Sequence, residues 1–330
     1  MRQMEQEKLV QVKNLKKYYP VGGMGKKKVA KALDGVSFDI YAGETLGLVG
    51  ESGCGKTTVG RAILRLISVT EGEIWFEDQN ITNYSEKQMR PLRSQMQIIF
   101  QDPYGCLDPR KTVYDLIAAP LKLHGLKDRE ALRSRVLELM EEVGLRADYI
   151  DRYPHEFSGG QRQRIGIARA IAINPRLIVC DEPVSALDVS VQAQVINLIR
   201  KLQKEHGLTY LFISHDLRVI KHLCDRIVVM YLGTIVESGK KEDIYRTPAH
   251  PYTKALLSAV PEIGSDMGKT RTILQGDIPS PIDPPEGCRF HTRCPVATEK
   301  CAKEIPPRVD LGGGHFCCCH YCGNDSQNIR

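Results

Sequence analysis

The chain alternates between segments with the hydrophobic spacing of strands and segments with that of helices. Alternating apolar and polar residues predict half-buried strands over residues 9–13, 29–41 and 73–77. Short, mostly apolar runs predict buried strands over 45–49, 96–100, 177–180, 209–214 and 227–230. Apolar residues at three- and four-residue spacing predict helices over 59–67, 113–123, 129–143, 161–173 and 190–206.

This order of elements predicts an α/β fold. Buried strands that alternate with helices form a mostly parallel sheet with helices on both faces, and the first strands are assigned to an antiparallel side sheet. The basic stretch from Gly22 to Lys28 is predicted to be a loop. After about Lys240, prolines, glycines and cysteines accumulate, which predicts an appended, loop-rich segment.

A glycine-rich stretch between a predicted strand and a predicted helix carries the clearest chemical signal. It fits the phosphate-loop pattern G-x-x-x-x-G-K-[ST]. Its glycines let backbone N–H groups turn around a phosphate, and the helix N-terminus adds partial positive charge. We expect Lys56 to reach the β- and γ-phosphates and the Thr57 hydroxyl to ligate Mg²⁺. The alternative is a glycine-rich turn that binds nothing. The candidate phosphate-binding residues are Gly50, Ser52, Gly53, Cys54, Gly55, Lys56, Thr57 and Thr58.

Two carboxylates follow the apolar run at 177–180. The carboxyl ends of parallel strands form the ligand-binding edge of such a sheet. Asp181 is therefore placed to hold Mg²⁺ through its water shell, and Glu182 to polarise the attacking water. The alternative for Asp181 is a helix N-cap.

A second anion site is predicted at the start of a helix, where Ser158, Gly159, Gly160 and Gln161 offer another set of backbone N–H groups. One nucleotide does not need two such sites from one chain. We therefore expect two chains to face each other, each completing the nucleotide site of the other.

In their order and spacing these motifs resemble the ATPase subunits of ABC transporters over about residues 9–239. The resemblance implies a Walker A loop at 50–58, a Walker B strand at 177–182, a signature motif at 158–161 and a D-loop at 185–188. It also implies that Glu182 is the catalytic base, that His215 contacts the γ-phosphate, and that Gln101 senses Mg²⁺ and couples to the membrane subunit. Tyr19 is expected to stack on adenine, with Tyr18 as its alternative.

The resemblance further implies a P-loop NTPase fold with a RecA-like sheet. The nucleotide-binding domain is expected over residues 1–245, with an inserted helical subdomain at about 103–160 and a C-terminal extension over 246–330. The implied assembly is a head-to-tail dimer with a second ATPase subunit, either a paralogue or another copy. It would act with two transmembrane permease subunits and, indirectly, an external substrate-binding protein.

The C-terminal region resembles the extension of the oligopeptide/dipeptide importer ATPases, a branch that also includes nickel importers. The resemblance is carried by the segments 250–257, 279–281 and 287–295. It implies an ATPase that powers import of di- or oligopeptides. The alternatives are a nickel importer ATPase, a soluble ABC ATPase of DNA repair or translation, and a module that binds ATP without turnover. One uninterrupted cassette favours the importer over the soluble ATPase, and an intact Glu182 and His215 disfavour the module.

Seven of the eleven cysteines fall between Cys288 and Cys322. Four thiolates can ligate Zn²⁺ or hold a [4Fe–4S] cluster. The resemblance implies a cluster, with Zn²⁺ or unliganded thiols as alternatives. Cys317, Cys318 and Cys322 leave the identity of the fourth ligand open. The candidate ligands are Cys288, Cys294, Cys301 and Cys319, the last because Cys319-His320 matches the end of the family pattern.

The composition is that of an ordinary globular protein, with 330 residues, 42% apolar and 26% charged. The net charge of +6 is mild, and no basic run interleaved with aromatics indicates nucleic acid. No apolar stretch approaches the roughly 20 residues of a membrane span, and the first ten residues do not resemble a secretory signal. We expect a cytoplasmic protein, which the resemblance places on the inner face of the cell membrane.

Overall fold

The computed structural model describes residues 7–22, 28–259 and 274–322. Most of the predicted basic loop, residues 23–27, lies outside these ranges. The strands are β1 (Lys8–Val21), β2 (Lys28–Tyr41), β3 (Thr45–Val49), β4 (Glu71–Phe76), β5 (Gln79–Asn80), β6 (Met96–Ile99), β7 (Leu177–Asp181), β8 (Thr209–Ser214), β9 (Arg226–Tyr231), β10 (Thr234–Lys240), β11 (Arg308–Asp310) and β12 (Phe316–Cys318). The helices are α1 (Lys56–Ile63), α2 (Glu86–Met89), α3 (Val113–Leu123), α4 (Arg129–Glu142), α5 (Gly159–Ile171), α6 (Val189–His206), α7 (Leu217–Leu223), α8 (Lys241–Arg246), α9 (Pro251–Ser258) and α10 (Glu299–Lys303).

The described residues form two compact units, the first of which contains Glu7, 41–44 and 84–213. Its strands lie in the order β8, β7, β6 and run parallel, with Leu177 opposite both Met96 and Thr209. Every residue of β7 is buried, as its wholly apolar run predicted. In α4 the predicted apolar stripe is buried, and its buried residues are Leu132, Val136, Leu139 and Met140. The predicted parallel arrangement is confirmed for these strands.

The second unit contains the described residues of 8–40, 45–83 and 214–322. One sheet has the order β2, β1, β4, β5, and β4 runs antiparallel to both β1 and β5. This is the antiparallel side sheet predicted from the alternating pattern. The other strands of this unit lie in the order β11, β12, β10, β9, β3, in which β3 and β9 are parallel and the remaining pairs antiparallel.

The C-terminal region is more regular than predicted. Strand β12 pairs with β10 and places Cys317 opposite Glu237, while β11 pairs with β12. The three-residue strand β12 covers the edge of β10, and the Cys317 side chain within it is fully buried. The predicted loop-rich segment therefore extends the strand order of the second unit.

Two predicted helices, 59–67 and 161–173, were wrong at both ends, since they span Lys56–Ile63 and Gly159–Ile171. Helix α1 ends at Ile63 rather than at residue 67, because Arg65 adopts a left-handed φ of 51°. Helix α5 begins at Gly159 rather than at Gln161, because Ser158 and Gln161 form a capping box. No helix in the described part of the chain is long and apolar enough to cross a membrane.

Candidate functional site

The glycine-rich loop of the second unit has a backbone that tolerates glycine alone at two positions. A Cβ at Gly50 would lie 2.2 Å from the carbonyl oxygen of Met230. Gly55 has a φ of 104°, and its Cβ would lie 2.4 Å from the carbonyl oxygen of Ala32. Side chains at these positions would displace the loop from the neighbouring strands. Both glycines are therefore required for the conformation of the loop.

Lys56, the first residue of α1, folds back over this loop. Its ammonium group donates hydrogen bonds to the carbonyl oxygens of Gly50 at 2.8 Å and Glu51 at 3.0 Å. The residue is only 5% exposed. No side chain caps the start of α1, where the N-cap is Gly55. A buried cation and a helix N-terminus thus lie in one loop, an arrangement suited to a phosphate group.

The second unit also contains Tyr19 and His215. The Tyr18 hydroxyl donates to Asp34, whereas Tyr19 is 38% exposed, with the Lys17 ammonium 4.9 Å from its ring centroid. Of these two tyrosines, Tyr19 is therefore the more exposed one. His215 follows β8 and is exposed.

Gln101, Asp181 and Glu182 lie in the first unit. Asp181 is the last residue of β7 and is 4% exposed. Glu182 has a positive φ of 46°, and its N–H donates to the carbonyl oxygen of Ile213 at 3.0 Å. Gln101 Nε2 donates to Glu182 Oε2 at 3.2 Å. Positive φ is uncommon for a non-glycine residue, and five others in the described ranges share it, among them Arg65 after α1.

The motif at 158–161 packs against the start of α6. A Cβ at Gly160 would lie 2.3 Å from Val191 Cγ1, so a larger residue there would collide with α6. Asp188 in turn caps α6 by accepting the N–H of Val191 at 3.0 Å. The predicted signature motif also approaches the predicted D-loop directly, since a Cβ at Gly159 would lie 3.3 Å from Leu187 Cδ2, which sequence reasoning did not predict.

The four cysteines predicted to be ligands come together in the second unit. Cys288, Cys294, Cys301 and Cys319 line one small cavity, which Cys317, Cys318 and Cys322 do not line. Burial raises the pKa of Cys294 to about 11, and the negative charges of the other three thiolates add to the increase. In the ranges that the structure describes, no three His, Cys, Asp or Glu side chains are arranged around a metal position.

Sequence reasoning missed the residues that hold Glu51, the second residue of the glycine-rich loop. Its backbone N–H donates to the Tyr252 hydroxyl oxygen at 2.9 Å. Arg293 donates to both oxygens of the Glu51 carboxylate, at 2.7 and 3.1 Å. The loop pattern leaves this position unspecified. The sequence did contain one signal for such a contact: Glu51 is a carboxylate inside a loop that binds an anion, and this carboxylate needs a cation beside it.

Comparisons with known proteins agree with the motifs. Residues 33–185 match the family described as ABC transporter, and residues 236–301 match the family described as oligopeptide/dipeptide transporter, C-terminal region. The chain is 52% identical to the oligopeptide transport ATP-binding protein AppF of Bacillus subtilis (strain 168), covering 96% of this chain and 98% of that protein. It is 54% identical to the oligopeptide transport ATP-binding protein OppF of Escherichia coli (strain K12), covering 84% of each.

Solved structures show the same fold. A dimeric post-hydrolysis state of the ATP-binding cassette MJ0796 bound to ADP and Pi is 31% identical, with a TM-score of 0.64. The match covers 70% of the present chain and 98% of the MJ0796 chain. A second dimeric structure of MJ0796, a bacterial ABC transporter cassette, is 30% identical with the same TM-score.

Proposed function

The chain belongs to the ABC transporter ATPases and carries the oligopeptide/dipeptide transporter C-terminal region, and from this premise we propose that it hydrolyses ATP to power peptide import across the cell membrane. The observation that carries the proposal is the Lys56 ammonium, buried against the carbonyl groups of a glycine-rich loop. A phosphate oxygen of a triphosphate bound in this loop would accept a hydrogen bond from the Lys56 ammonium, since lysine binds phosphate as a point charge.

We assign binding of the nucleotide to one set of residues and binding of its Mg²⁺ to another. The loop from Gly50 to Thr58, which includes Ser52, Gly53 and Cys54, would bind the phosphates, and Tyr19 would stack on adenine. The exposed ring of Tyr19 supports that assignment over Tyr18, whose hydroxyl is bonded to Asp34. Thr57, Gln101 and Asp181 would hold Mg²⁺, which prefers oxygen ligands and retains several waters.

Catalysis is assigned to Glu182 as the general base. It would take a proton from the attacking water as the water oxygen bonds to the γ-phosphorus and the bond from that phosphorus to its bridging oxygen breaks, with ADP as the leaving group. The hydrogen bond from Gln101 supports this role, because it orients the Glu182 carboxylate at the end of β7. His215 would contact the γ-phosphate, and its exposure after β8 is consistent with such a contact.

We assign completion of the site to a second ATPase subunit. Ser158, Gly159, Gly160 and Gln161 would contact the nucleotide of the partner, at the capped N-terminus of α5. The dimeric cassette structures similar to this chain support a dimer, and we propose a head-to-tail arrangement with a paralogue or a second copy as the partner. We assign this chain to the cytoplasmic face of the cell membrane, where two transmembrane permease subunits and, indirectly, an external substrate-binding protein complete the proposed importer.

The proposed domain division places the nucleotide-binding domain at 1–245, its helical subdomain at about 103–160 and the extension at 246–330. The two family matches, at 33–185 and 236–301, support a cassette followed by an extension.

For the extension we propose a [4Fe–4S] cluster held by Cys288, Cys294, Cys301 and Cys319. These four thiols fit the group, because they line one cavity and the charges of the other three raise the pKa of Cys294. A bound cluster would neutralise that charge and supply one-electron chemistry or a structural crosslink. Zn²⁺ is the alternative occupant, since it also accepts four thiolates.

Reconstitution in lipid vesicles tests the function. The chain is assembled with its permease partners and partner ATPase, and ATP-dependent uptake of a labelled tripeptide is compared with uptake of nickel. Uptake of the peptide alone supports the proposal, and uptake of nickel alone replaces it with the nickel importer. Co-purification with nucleic acid, and no association with the permeases, would support the soluble ABC ATPase.

A further inference from the structure

One peptide group in the glycine-rich loop is held from both sides. In the peptide bond that joins Gly50 to Glu51, the carbonyl oxygen accepts a hydrogen bond from Lys56 at 2.8 Å. The N–H of the same peptide group donates to the Tyr252 hydroxyl oxygen at 2.9 Å. A trans peptide is planar, with its C=O and N–H pointing in opposite directions. Tyr252 therefore fixes the orientation of the carbonyl group that holds the Lys56 ammonium.

The side chain of Glu51 is held as firmly as its backbone. Arg293 donates to both carboxylate oxygens through its two terminal nitrogens, the two-point geometry in which arginine binds carboxylates most strongly. The Arg293 side chain is 7% exposed and that of Glu51 is 25% exposed, so water screens this ion pair only in part. A substituted Arg293 would leave a carboxylate without its cation in a loop that binds an anion.

The residues that hold Glu51 belong to a packed aromatic cluster in the C-terminal region. Tyr252 packs edge-on against Tyr231 with ring centroids 4.8 Å apart, and Phe290 contacts both rings. Tyr252 and Phe290 are at most 1% exposed. The guanidinium group of Arg293 lies 5.9 Å from the Tyr231 ring centroid, within cation–π range. Because the rings of the cluster are buried and packed on one another, they position Arg293 and the Tyr252 hydroxyl against the loop.

We propose that Arg293 and Tyr252 of the C-terminal extension are positioning residues for the phosphate loop, holding the side chain and the backbone of Glu51 so that Lys56 is set for the triphosphate. The inference rests on the proposed nucleotide site. It adds that the extension forms part of that site. Neither residue contacts the reacting atoms, so their effect is on nucleotide binding rather than on the chemical step.

Equilibrium binding of MgATP to the full-length chain tests the inference. Arg293→Gln is expected to weaken binding about tenfold, the size of one lost charge-assisted interaction, with turnover at saturating ATP changed less than about twofold. Arg293→Lys, which keeps the charge but not the two-point contact, is expected to give an intermediate loss. The matched control is Arg308→Gln, since Arg308 lies in the same extension and stacks on Phe316 rather than on the loop.

A double-mutant cycle shows whether Arg293 acts through Glu51. If it does, the double variant Glu51→Gln/Arg293→Gln binds MgATP at least as tightly as whichever single variant has the lower affinity. Each single substitution already removes the contact between Glu51 and Arg293, so the second substitution costs no further affinity. Amide exchange of peptides that cover 50–56, measured without nucleotide, is expected to be faster in Arg293→Gln and unchanged in Arg308→Gln. Tyr252→Phe is expected to show the same faster exchange, and it replaces Arg293→Gln in this test if that variant does not fold.

The outcomes separate the two proposals. If the wild-type chain does not bind MgATP, or Lys56→Ala binds as the wild type does, the nucleotide site itself is wrong. If these two behave as proposed but Arg293→Gln binds and exchanges like the wild type, only the role of the extension is overturned. Additive losses in the double variant also overturn it. A lower melting temperature with unchanged nucleotide affinity assigns Arg293 a structural role alone, which contradicts the inference.

Discussion

The side-chain amide of Gln101 donates a hydrogen bond of 3.2 Å to the carboxylate of Glu182. The two residues follow β6 and β7, which are adjacent and parallel, with Ile99 opposite Cys180. Residues that leave neighbouring parallel strands at the same edge meet there. The contact therefore follows from the topology of the first unit, and it gives the proposed base a polar partner.

The first prediction concerns this base. Glu182→Gln keeps the hydrogen-bonding shape but cannot accept a proton, so ATP turnover is expected to fall about a hundredfold or more. MgATP should still bind, and size-exclusion chromatography with ATP should show an accumulated dimer. Glu205→Gln, on the exposed side of α6, is the control and should retain turnover. Undiminished turnover in Glu182→Gln would remove this residue from the role of base.

The second prediction compares two glycines of α5. Gly160→Ala places a Cβ 2.3 Å from Val191 Cγ1 and should destabilise the chain by about 1–3 kcal/mol through overpacking. Gly166→Ala meets nothing within 4 Å in the same helix, and it should stabilise by up to about 1 kcal/mol. Urea unfolding without nucleotide measures both variants. Equal unfolding midpoints would show that Gly160 does not set the packing of α5 on α6.

The third prediction uses the buried pair of Glu237 and His315, whose side chains meet at 2.8 Å. Burial alone would raise the pKa of Glu237, but hydrogen bonds from His315 and from the N–H groups of Ala249 and His250 lower it below 4.5. The hydrogen bond to Glu237 raises the pKa of His315 above 6.5 despite partial burial, and Asp243 adds to the increase. Both groups are therefore charged in the folded protein between pH 4.5 and pH 6.5.

The sign of the pH dependence follows from these shifts. The contribution of His315 is complete below pH 6.5 and is lost as pH rises through its folded-state pKa. The contribution of Glu237 is complete above pH 4.5 and is lost as pH falls through its folded-state pKa. Glu237→Gln should therefore destabilise most between these values, by about 3 kcal/mol, and less at higher pH.

Thermal unfolding across pH measures this difference. Glu299→Gln, an exposed partner of Lys303, is the control and should leave the pH profile unchanged. A loss in Glu237→Gln that is the same at every pH would contradict an ionic contribution from the pair.

The fourth prediction concerns the cysteine cavity. Protein purified without oxygen should contain iron and acid-labile sulfide and should absorb visible light. Cys319→Ser should lose this absorption, since Cys319 lines the cavity, whereas Cys322→Ser should keep it, since Cys322 does not. A colourless protein that contains zinc would replace the cluster with Zn²⁺. Equal iron content in the two variants would reject Cys319 as the fourth ligand.

The core elements could be predicted because their signals are local. Residues 177–180 of β7 are wholly apolar, and α4 has its apolar residues at helical spacing, so the burial of these residues follows from the sequence alone. The end of α1 could not be predicted, since it depends on the left-handed backbone of Arg65, a residue type without that preference. Strand β12 has three residues, and it is stable only because β10 and β11 pair with it.

The candidate site was predictable residue by residue, but its supporting contacts were not. The phosphate loop, Asp181 and Glu182 lie in short motifs with a recognisable spacing. The contact of Arg293 with Glu51 joins residues 242 positions apart, so no local pattern contains it. The clash that Gly160 avoids with Val191 likewise depends on how α5 packs on α6.

The most direct measurement is the equilibrium binding of MgATP to the full-length chain and to its Lys56→Ala variant. Lys201→Ala, a change of an exposed lysine on α6, is the matched control. The account predicts saturable binding to the wild type and the control, and at least about a hundredfold weaker binding to Lys56→Ala, as expected when a buried cation that holds phosphate is removed. Binding to Lys56→Ala as tight as to the wild type, or no binding to the wild-type chain, would contradict it.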